Sequence, residues 1–435
     1  MTDSKPLKVL VSGAGIAAGS FASCLLRGLP NTSLTIIERD PSPRLTGASI
    51  DIRSSAVDII KWLDVEQEIR ANTTKEEGMQ LVRADGSEVA TIMTTGRTDV
   101  QGPTSEYEIF RGKLAEILLR PALKTAKIVY GETVESYEEQ EDGVLVTFTK
   151  SKKTERYDLL VATDGLRSKI RGQMLGTTPG EHIHDSGVFV SFFTIKQDLL
   201  EGSRLSKWFN DTNGRGIFLR PDPDPAGRTR GHFMNVVPPA NKELKKRLND
   251  AILEGNEAYM ALTEELFADA GWMSKETLKG MRESDDFYCS LFTQVRSPKL
   301  SSKRVALIGD AGFATPGIGT SLAIIGGYIL AGELLTSVTS AAASSGAAQH
   351  LEPALQRYET LMLPIVKGHQ GGMDIAMQLF NPQTSWGLSI RNFVLGVVNK
   401  FRLDTLAMSV FGWSEKKVEM PEYAWPDGRS LKDVV

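Results

Sequence analysis

The chain has 435 residues, enough for two domains, because a single hydrophobic core stops growing near roughly 250–300 residues. Its 50 Lys and Arg against 54 Asp and Glu leave a formal charge of -4, which points away from nucleic acid and towards a small-molecule partner. The two cysteines, Cys24 and Cys289, fall in segments that read as buried helix and strand, and no CxxC is present; a disulfide framework is not expected and a reducing, cytoplasmic setting is.

In chain order, "MTDSKPLKVLVSGAG" places a charged leader before an apolar strand, without the apolar run of a secretory signal. The strand "LKVLVS", the helix "IAAGSFASCLLRGL" and the strand "SLTIIER" make a βαβ unit and start a parallel sheet. "TGASIDIRSSAVDIIKWLDV" reads as a strand and then a helix begun at Ser54 or Ser55, followed by the hairpin turn Asp85-Gly86. "EYEIFRGKLAEILLRPAL" is a strand leading into a helix, and "GVLVTFTK" and "YDLLVATDG" are further strands.

Between about 180 and 300 the chain becomes β-rich and aromatic ("SGVFVSFFTI", "GRGIFLRPD", "RTRGHFMNVV"), with two helical stretches near 241–282, as expected of an inserted sheet domain covering a pocket. "KRVALIGD" returns to the buried-strand style, and "TSAAASSGAA" (339–348) reads as a linker. Beyond 350 the pattern is helical, with Pro364 expected to kink it. The apolar blocks of "WGLSIRNFVLGVVNKFRLDTLAMSVFGW" are interrupted by Arg391, Lys400 and Arg402; they read as helices docked on the body, and no transmembrane segment is expected. The fold class is α/β: a Rossmann-like domain (1–178 and 297–350), an inserted β-rich substrate domain (179–296) and a helical C-terminal region (351–435).

The first chemistry lies in "GAGIAAG". Gly13 permits a tight turn, Gly15 lets a pyrophosphate approach the backbone, and small Ala18 lets helix and strand pack closely, with phosphate charge at the helix N-terminus. Glu38, at the end of the second strand, is placed to accept ribose hydroxyls, which favours FAD or NAD over NADP at this site. The motif alone does not choose between the two. His182 and His184 lack downstream partners, so no metal site is expected, and no GxSxG elbow supplies a nucleophile.

The segments "GAGIAA", "ERD", "IDIR", "EIFRGKLAEILL", "ATDGLRSKIR" and "ALIGDAGFATPGIGTS" follow in the order and spacing of the single-component FAD-dependent aromatic hydroxylases. The chain resembles these para-hydroxybenzoate hydroxylase-like monooxygenases over roughly residues 8–370. "IDI" and "FRGKL" look closest to the tetracycline-inactivating branch. The resemblance implies non-covalent FAD, with Gly13, Gly15 and Ala18 at the pyrophosphate, Glu38 at the ribose and Arg39 near the adenine. It further implies Asp51, Arg111, Asp310, Gly317, Gly319 and Ala323 along the ribityl chain and ring, Asp164 in a motif shared by FAD and NAD(P)H, and Arg44 at a position linked to the nicotinamide cofactor. The sequence departs from the family at Ala18 (usually Gly), Phe313 (often His), Ser321 and Gly326 (commonly Asn and Asp), and in a shortened Pro316–Gly319 spacing.

The implied reaction uses NADPH or NADH as transient reductant and dioxygen as co-substrate, and passes one oxygen through a flavin C4a-hydroperoxide to a phenolic, enolic or polycyclic small molecule, aromatic or polyketide-like. Supplying a phenolate at pH 7 costs roughly 4 kcal/mol unless a base or positive field assists. Arg215, Arg220, Arg230 and His232 are candidates for that role, and the sequence assigns it to none of them. Two alternatives stay open: an NAD-dependent dehydrogenase that uses only the N-terminal βαβ site, and a flavin-binding scaffold without redox activity.

Overall fold

Five strands form a parallel sheet, and Lys8–Ser12, Leu159–Ala162 and Val305–Leu307 are buried and near-continuously apolar, as expected for strands covered on both faces. Their order is Val305–Leu307, Leu159–Ala162, Lys8–Ser12, Ser33–Glu38 and Lys127–Tyr130. The computed structural model describes residues 6–43, 47–94, 105–224, 226–341, 351–371, 373–401 and 417–434.

One face of this sheet carries the helices Ile16–Gly28, Arg111–Leu119 and Gly319–Ala341 around the main core. The other is covered by the antiparallel strands Val134–Gln140, Gly143–Phe148 and Thr154–Tyr157 through Tyr137, Val146 and Phe148. The helix Gly319–Ala341 is long and apolar enough to cross a bilayer, yet its most apolar stretch is 83% buried inside the fold. Its glycines explain how: a Cβ at Gly327 would stand 2.6 Å from the backbone N of Phe21, so only glycine lets this helix lie against Ile16–Gly28.

A second sheet of seven strands runs in the order Tyr288–Val295, Ile183–Ile195, Thr229–Val236, Arg215–Pro221, Leu205–Asn210, Gly78–Val82 and Glu88–Met93. The last two come from the stretch that sequence placed with the nucleotide-binding domain. They form a hairpin through Asp85-Gly86, and the free edge of Gly78–Val82 pairs parallel with Leu205–Asn210 of this second sheet, not with a strand of the first. One face of the sheet is packed by three helices rather than two: Lys242–Glu254, Asn256–Phe267 and Ser274–Arg282.

The opposite face meets the C-terminal helices Met373–Phe380 and Ser385–Lys400 through Met377, Phe380 and Leu395. Arg391 does not interrupt an apolar face here; its guanidinium turns inward, donating to Asn210 Oδ1 and to the Phe380 carbonyl at 2.9 Å. Trp386, Ile390, Phe393 and Phe401 are exposed on the outer side. The helix Leu351–His369 continues through Pro364.

The chain end departs from the helical expectation. Residues 417–430 run as a non-helical strap on the first domain, closed by a short 3-10 turn, Leu431–Val434. Trp425 inserts beside Trp62 and Tyr328. Ser55 begins the helix Ala56–Trp62 without capping it, because its hydroxyl donates to Val418 O of this strap at 2.5 Å. Most of the 339–348 segment and Arg402 lie outside the described residues.

Candidate cofactor and substrate site

The glycine turn after the first strand is set by a crossing of chains. Gly13 has φ +105°, and a Cβ there would lie 2.4 Å from Thr163 O at the end of the neighbouring strand. Gly15 is the opposite case: nothing stands within 4 Å of its Cβ position, so its backbone faces open space. Ala18 is fully buried beneath the turn. Glu38 latches the loop, with Oε2 accepting from Ala14 N at 2.8 Å and Oε1 from Asp40 N at 3.1 Å. Arg39 extends outwards, its side chain 67% exposed.

Asp164 ends the strand beside Gly13. Burial pushes its carboxyl up to about 6 against the opposing pull of Ser168, and Oδ1 has no hydrogen-bond partner. Sequence reasoning missed the residue that joins this strand end to the Gly-Asp segment. Arg171, fully buried, donates to the carbonyls of Ala311 (2.8 Å), Leu166 (2.8 Å) and Pro179 (2.5 Å). The only local sign of it was the second arginine of "DGLRSKIR".

Asp310 opens the short helix Asp310–Phe313 after Gly309, and its carboxylate meets Arg111 at 3.6 Å. The missing Cβ of Gly319 would lie 3.9 Å from Asp310 Oδ1, and Gly317 holds φ +85° in the turn between them. Asp51 is committed to Arg53 (2.8 Å) and Ser105 (2.9 Å). Ala323 is buried, its Cβ 3.4 Å from the Cβ position of Gly309, so it serves packing rather than the open cradle. Arg44 lies outside the described residues.

The family departures have local explanations. Phe313 is buried, and a Cβ at Gly326 would come within 3.0 Å of its ring, so the large residue and the missing side chain are one exchange of volume. Ser321 Oγ accepts from Arg53 N at 2.8 Å, tying the helix start to the segment that carries Asp51. These residues fit FAD. Open backbone at Gly15 and Gly165 suits a pyrophosphate, while the unpartnered Asp164 Oδ1 and the solvent-reaching Arg111–Asp310 pair suit the chain between phosphate and ring.

A cavity of about 290 Å³ adjoins this cradle, lined among others by Ser49, Phe110, Phe192, Arg230, His232 and Tyr288. Phe192 and Tyr288 stack at 4.8 Å with planes 8° apart, and Arg230 lies over Phe110 at 4.7 Å while pairing with Asp222 and Asp286. Beneath it, Arg220 is held by Glu76 (2.9 Å), by Glu108 and by Ser49 Oγ (2.8 Å). Glu76 and Glu108 are both buried. Burial pushes Glu108 up to about 8; Arg220 opposes this, and the nearby Glu76 and Asp51 reinforce it. Glu108 thus ionises less readily than an exposed glutamate, and its contact with Arg220 is what holds the charged form.

Burial, then Arg220, pushes His232 down to about 3. Arg215 is placed elsewhere, bonded to Asp211, Asp269 and the Leu266 carbonyl on the helix-covered face. No cluster able to hold a metal occurs among the described residues.

Residues 6–347 match the family described as FAD binding domain. FAD-dependent monooxygenase asL4 of Sarocladium schorii is 28% identical over 96% of this chain and 98% of its own length, and monooxygenase CTB7 of Cercospora beticola is 30% identical over 96% and 97%. Among solved structures, tetracycline destructase Tet(55) superposes with a TM-score of 0.73 at 27% identity, covering 96% of this chain and 99% of that one. With the glycine turn, the latch at Glu38 and the Arg111–Asp310 pair in place, the chain belongs to the FAD-binding aromatic hydroxylase-like family and is an FAD-dependent monooxygenase.

Proposed function

We propose that the protein uses NADPH or NADH to insert one oxygen atom of dioxygen into an electron-rich phenolic, enolic or polycyclic small molecule, in specialised metabolism or xenobiotic modification within the cytoplasm. The observation that carries this reading is the aromatic-walled cavity directly beside the cofactor cradle. The name of Tet(55), a tetracycline destructase, is in keeping with a flat polycyclic substrate. In this reading the discontinuous nucleotide-binding domain (1–178 and 297–350) supplies the cradle and, through Ser49 and Phe110, part of the cavity wall; residues 179–296 supply the rest of the wall and 351–435 the cover.

Bound FAD supplies hydride acceptance and oxygen transfer. The protein's own residues do the rest. Gly15 presents open backbone to the pyrophosphate, with Gly13 making the turn and Ala18 packing beneath it; Glu38 and Arg39 attend the adenosine end; Arg111, Asp164 and Asp310 hold the middle of the cofactor; Asp51, Gly317 and Gly319 border the ring, with Ala323 behind them and Arg44 assigned to the nicotinamide cofactor. Phe110, Phe192 and Tyr288 exclude water and orient a flat ring, which is the main service a protein gives to this chemistry.

Purified protein should be yellow, and a substrate should accelerate NAD(P)H oxidation with matching oxygen uptake and a product heavier by one oxygen. Colourless protein that cannot be reconstituted with FAD would contradict the reading.

A further inference from the structure

The helix Ser385–Lys400 buries one side and leaves the other bare. Arg391 and Leu395 turn inward, Leu395 beside Val89 and Ala90 of the second sheet. On the outside, Trp386, Ile390, Phe393, Val394, Val397 and Phe401 are between 37% and 73% exposed. At about 100° per residue these positions fall within roughly 100° of the helix circumference, so they form one apolar stripe. Together they leave on the order of 700 Å² open, taking roughly 150–250 Å² for a large side chain. The largest apolar patch of an ordinary monomer is about 300–600 Å², whereas a stable interface buries about 800 Å² per partner.

The stripe reads the same from both ends, because its steps along the chain are four, three, one, three and four residues. Turned end for end against a second copy, the helix sets Trp386 across from Phe401, Ile390 across from Val397 and Phe393 across from Val394. Each contact is then made twice, as a two-fold axis requires. Opposed directions also bring the positive end of one helix dipole to the negative end of the other. The charges allow this pairing: no Asp or Glu occurs between 385 and 401, Arg391 is turned inward, and Lys400 stands at the end of the stripe. A helix that lies on lipid holds on with rows of Lys and Arg, which this one lacks. A covering peptide from elsewhere in the chain would place no demand on the symmetry of the stripe.

We propose that this face is the contact between two copies of the chain, with the helices Ser385–Lys400 antiparallel across a two-fold axis at Phe393 and Val394. Each copy then holds the other's helix down on its second sheet, where Leu395 and Arg391 are already seated. The proposal goes beyond the monooxygenase reading and does not depend on it.

The test is sedimentation equilibrium on the FAD-loaded full chain in detergent-free buffer. It should show twice the 47.6 kDa of one chain, with a Kd of about 1 µM or tighter. Phe393→Asp sets like charges at the axis and should weaken association at least about 100-fold, with flavin content and Tm unchanged because Phe393 is exposed in the single copy. Ile390→Glu and Val397→Lys should each weaken it about tenfold, and the two in one chain should restore it; they stand about 10 Å apart on their own helix and meet only across copies. A single-chain mass at about 50 µM, well above that Kd, would overturn the proposal. So would a two-chain mass that Phe393→Asp leaves unchanged, or a double variant no tighter than its parents. Co-sedimentation with vesicles of phosphatidylcholine and phosphatidylserine separates the other occupants. Vesicle binding by a single chain, abolished in Phe393→Asp, would assign the face to lipid, and a single chain that ignores vesicles would assign it to residues 402–416; either result contradicts the proposal.

Discussion

The cofactor cradle and the substrate wall are built by different means. The cradle is mostly backbone: a positive-φ glycine at 13, open backbone at Gly15, and a loop latched by Glu38. The wall is mostly side chain, and its foundation is a buried guanidinium shared by carboxylates from distant parts of the chain, Glu76 and Glu108. Backbone grips a constant ligand and tolerates few changes. A wall of side chains can be rewritten residue by residue, which is where a family with one cofactor and many substrates has room to diverge.

Breaking the wall at its foundation should have the largest effect. Arg220→Met strands buried carboxylates and should cost about 3–5 kcal/mol of stability in denaturant melts. Glu108→Gln keeps an acceptor oxygen for Arg220 and leaves Glu76 to balance its charge, so it should cost less, about 1–2 kcal/mol. Equal losses in the two variants would remove the distinction drawn between them.

On the cradle side, Asp310→Ala should weaken FAD binding about 10–100-fold in fluorescence titration while leaving the fold intact. A dehydrogenase that used only the N-terminal site would show no change. Next in size is the Phe313–Gly326 exchange: Gly326→Ala should destabilise by about 1–3 kcal/mol, and Phe313→Leu in the same chain should recover part of it. Additive losses would mean that the two positions are independent.

The smallest effect concerns Asp164. Its carboxyl titrates higher in the folded chain than in the unfolded one, so ionisation costs stability as pH rises through about 4 to 6. Asp164→Asn should therefore stabilise the cofactor-free protein by about 1 kcal/mol above pH 6, an allowance made for solvent screening, with the gain vanishing below about pH 4. A gain that persists at low pH would assign it to packing instead.

Sequence pattern made the cradle legible because its signals are local: a strand, a glycine turn and a helix within a few residues, and again at Asp310. Other features depend on partners that pattern does not name. Asp85-Gly86 shows in the sequence that a hairpin turns there, but not that its strands, Gly78–Val82 and Glu88–Met93, complete the second sheet. Glu76 and Glu108 look like solvated charges in the sequence, and only the fold brings them to Arg220. Arg391 seemed to break an apolar run, whereas helical geometry turns it inward towards Asn210. The strap at 417–430 has no periodicity to announce it; Trp425 is anchored by Trp62 and Tyr328, contributed by distant helices.

The central claim is oxygen transfer at the junction of cradle and wall. The most direct measurement is mass analysis of the product formed from a phenolic substrate that accelerates NADPH oxidation, under isotopically heavy dioxygen. The account predicts one heavy oxygen per product molecule, with NADPH and dioxygen consumed in equal amounts. NADPH consumption that yields only hydrogen peroxide with every substrate tried, or product oxygen drawn from water, would contradict it.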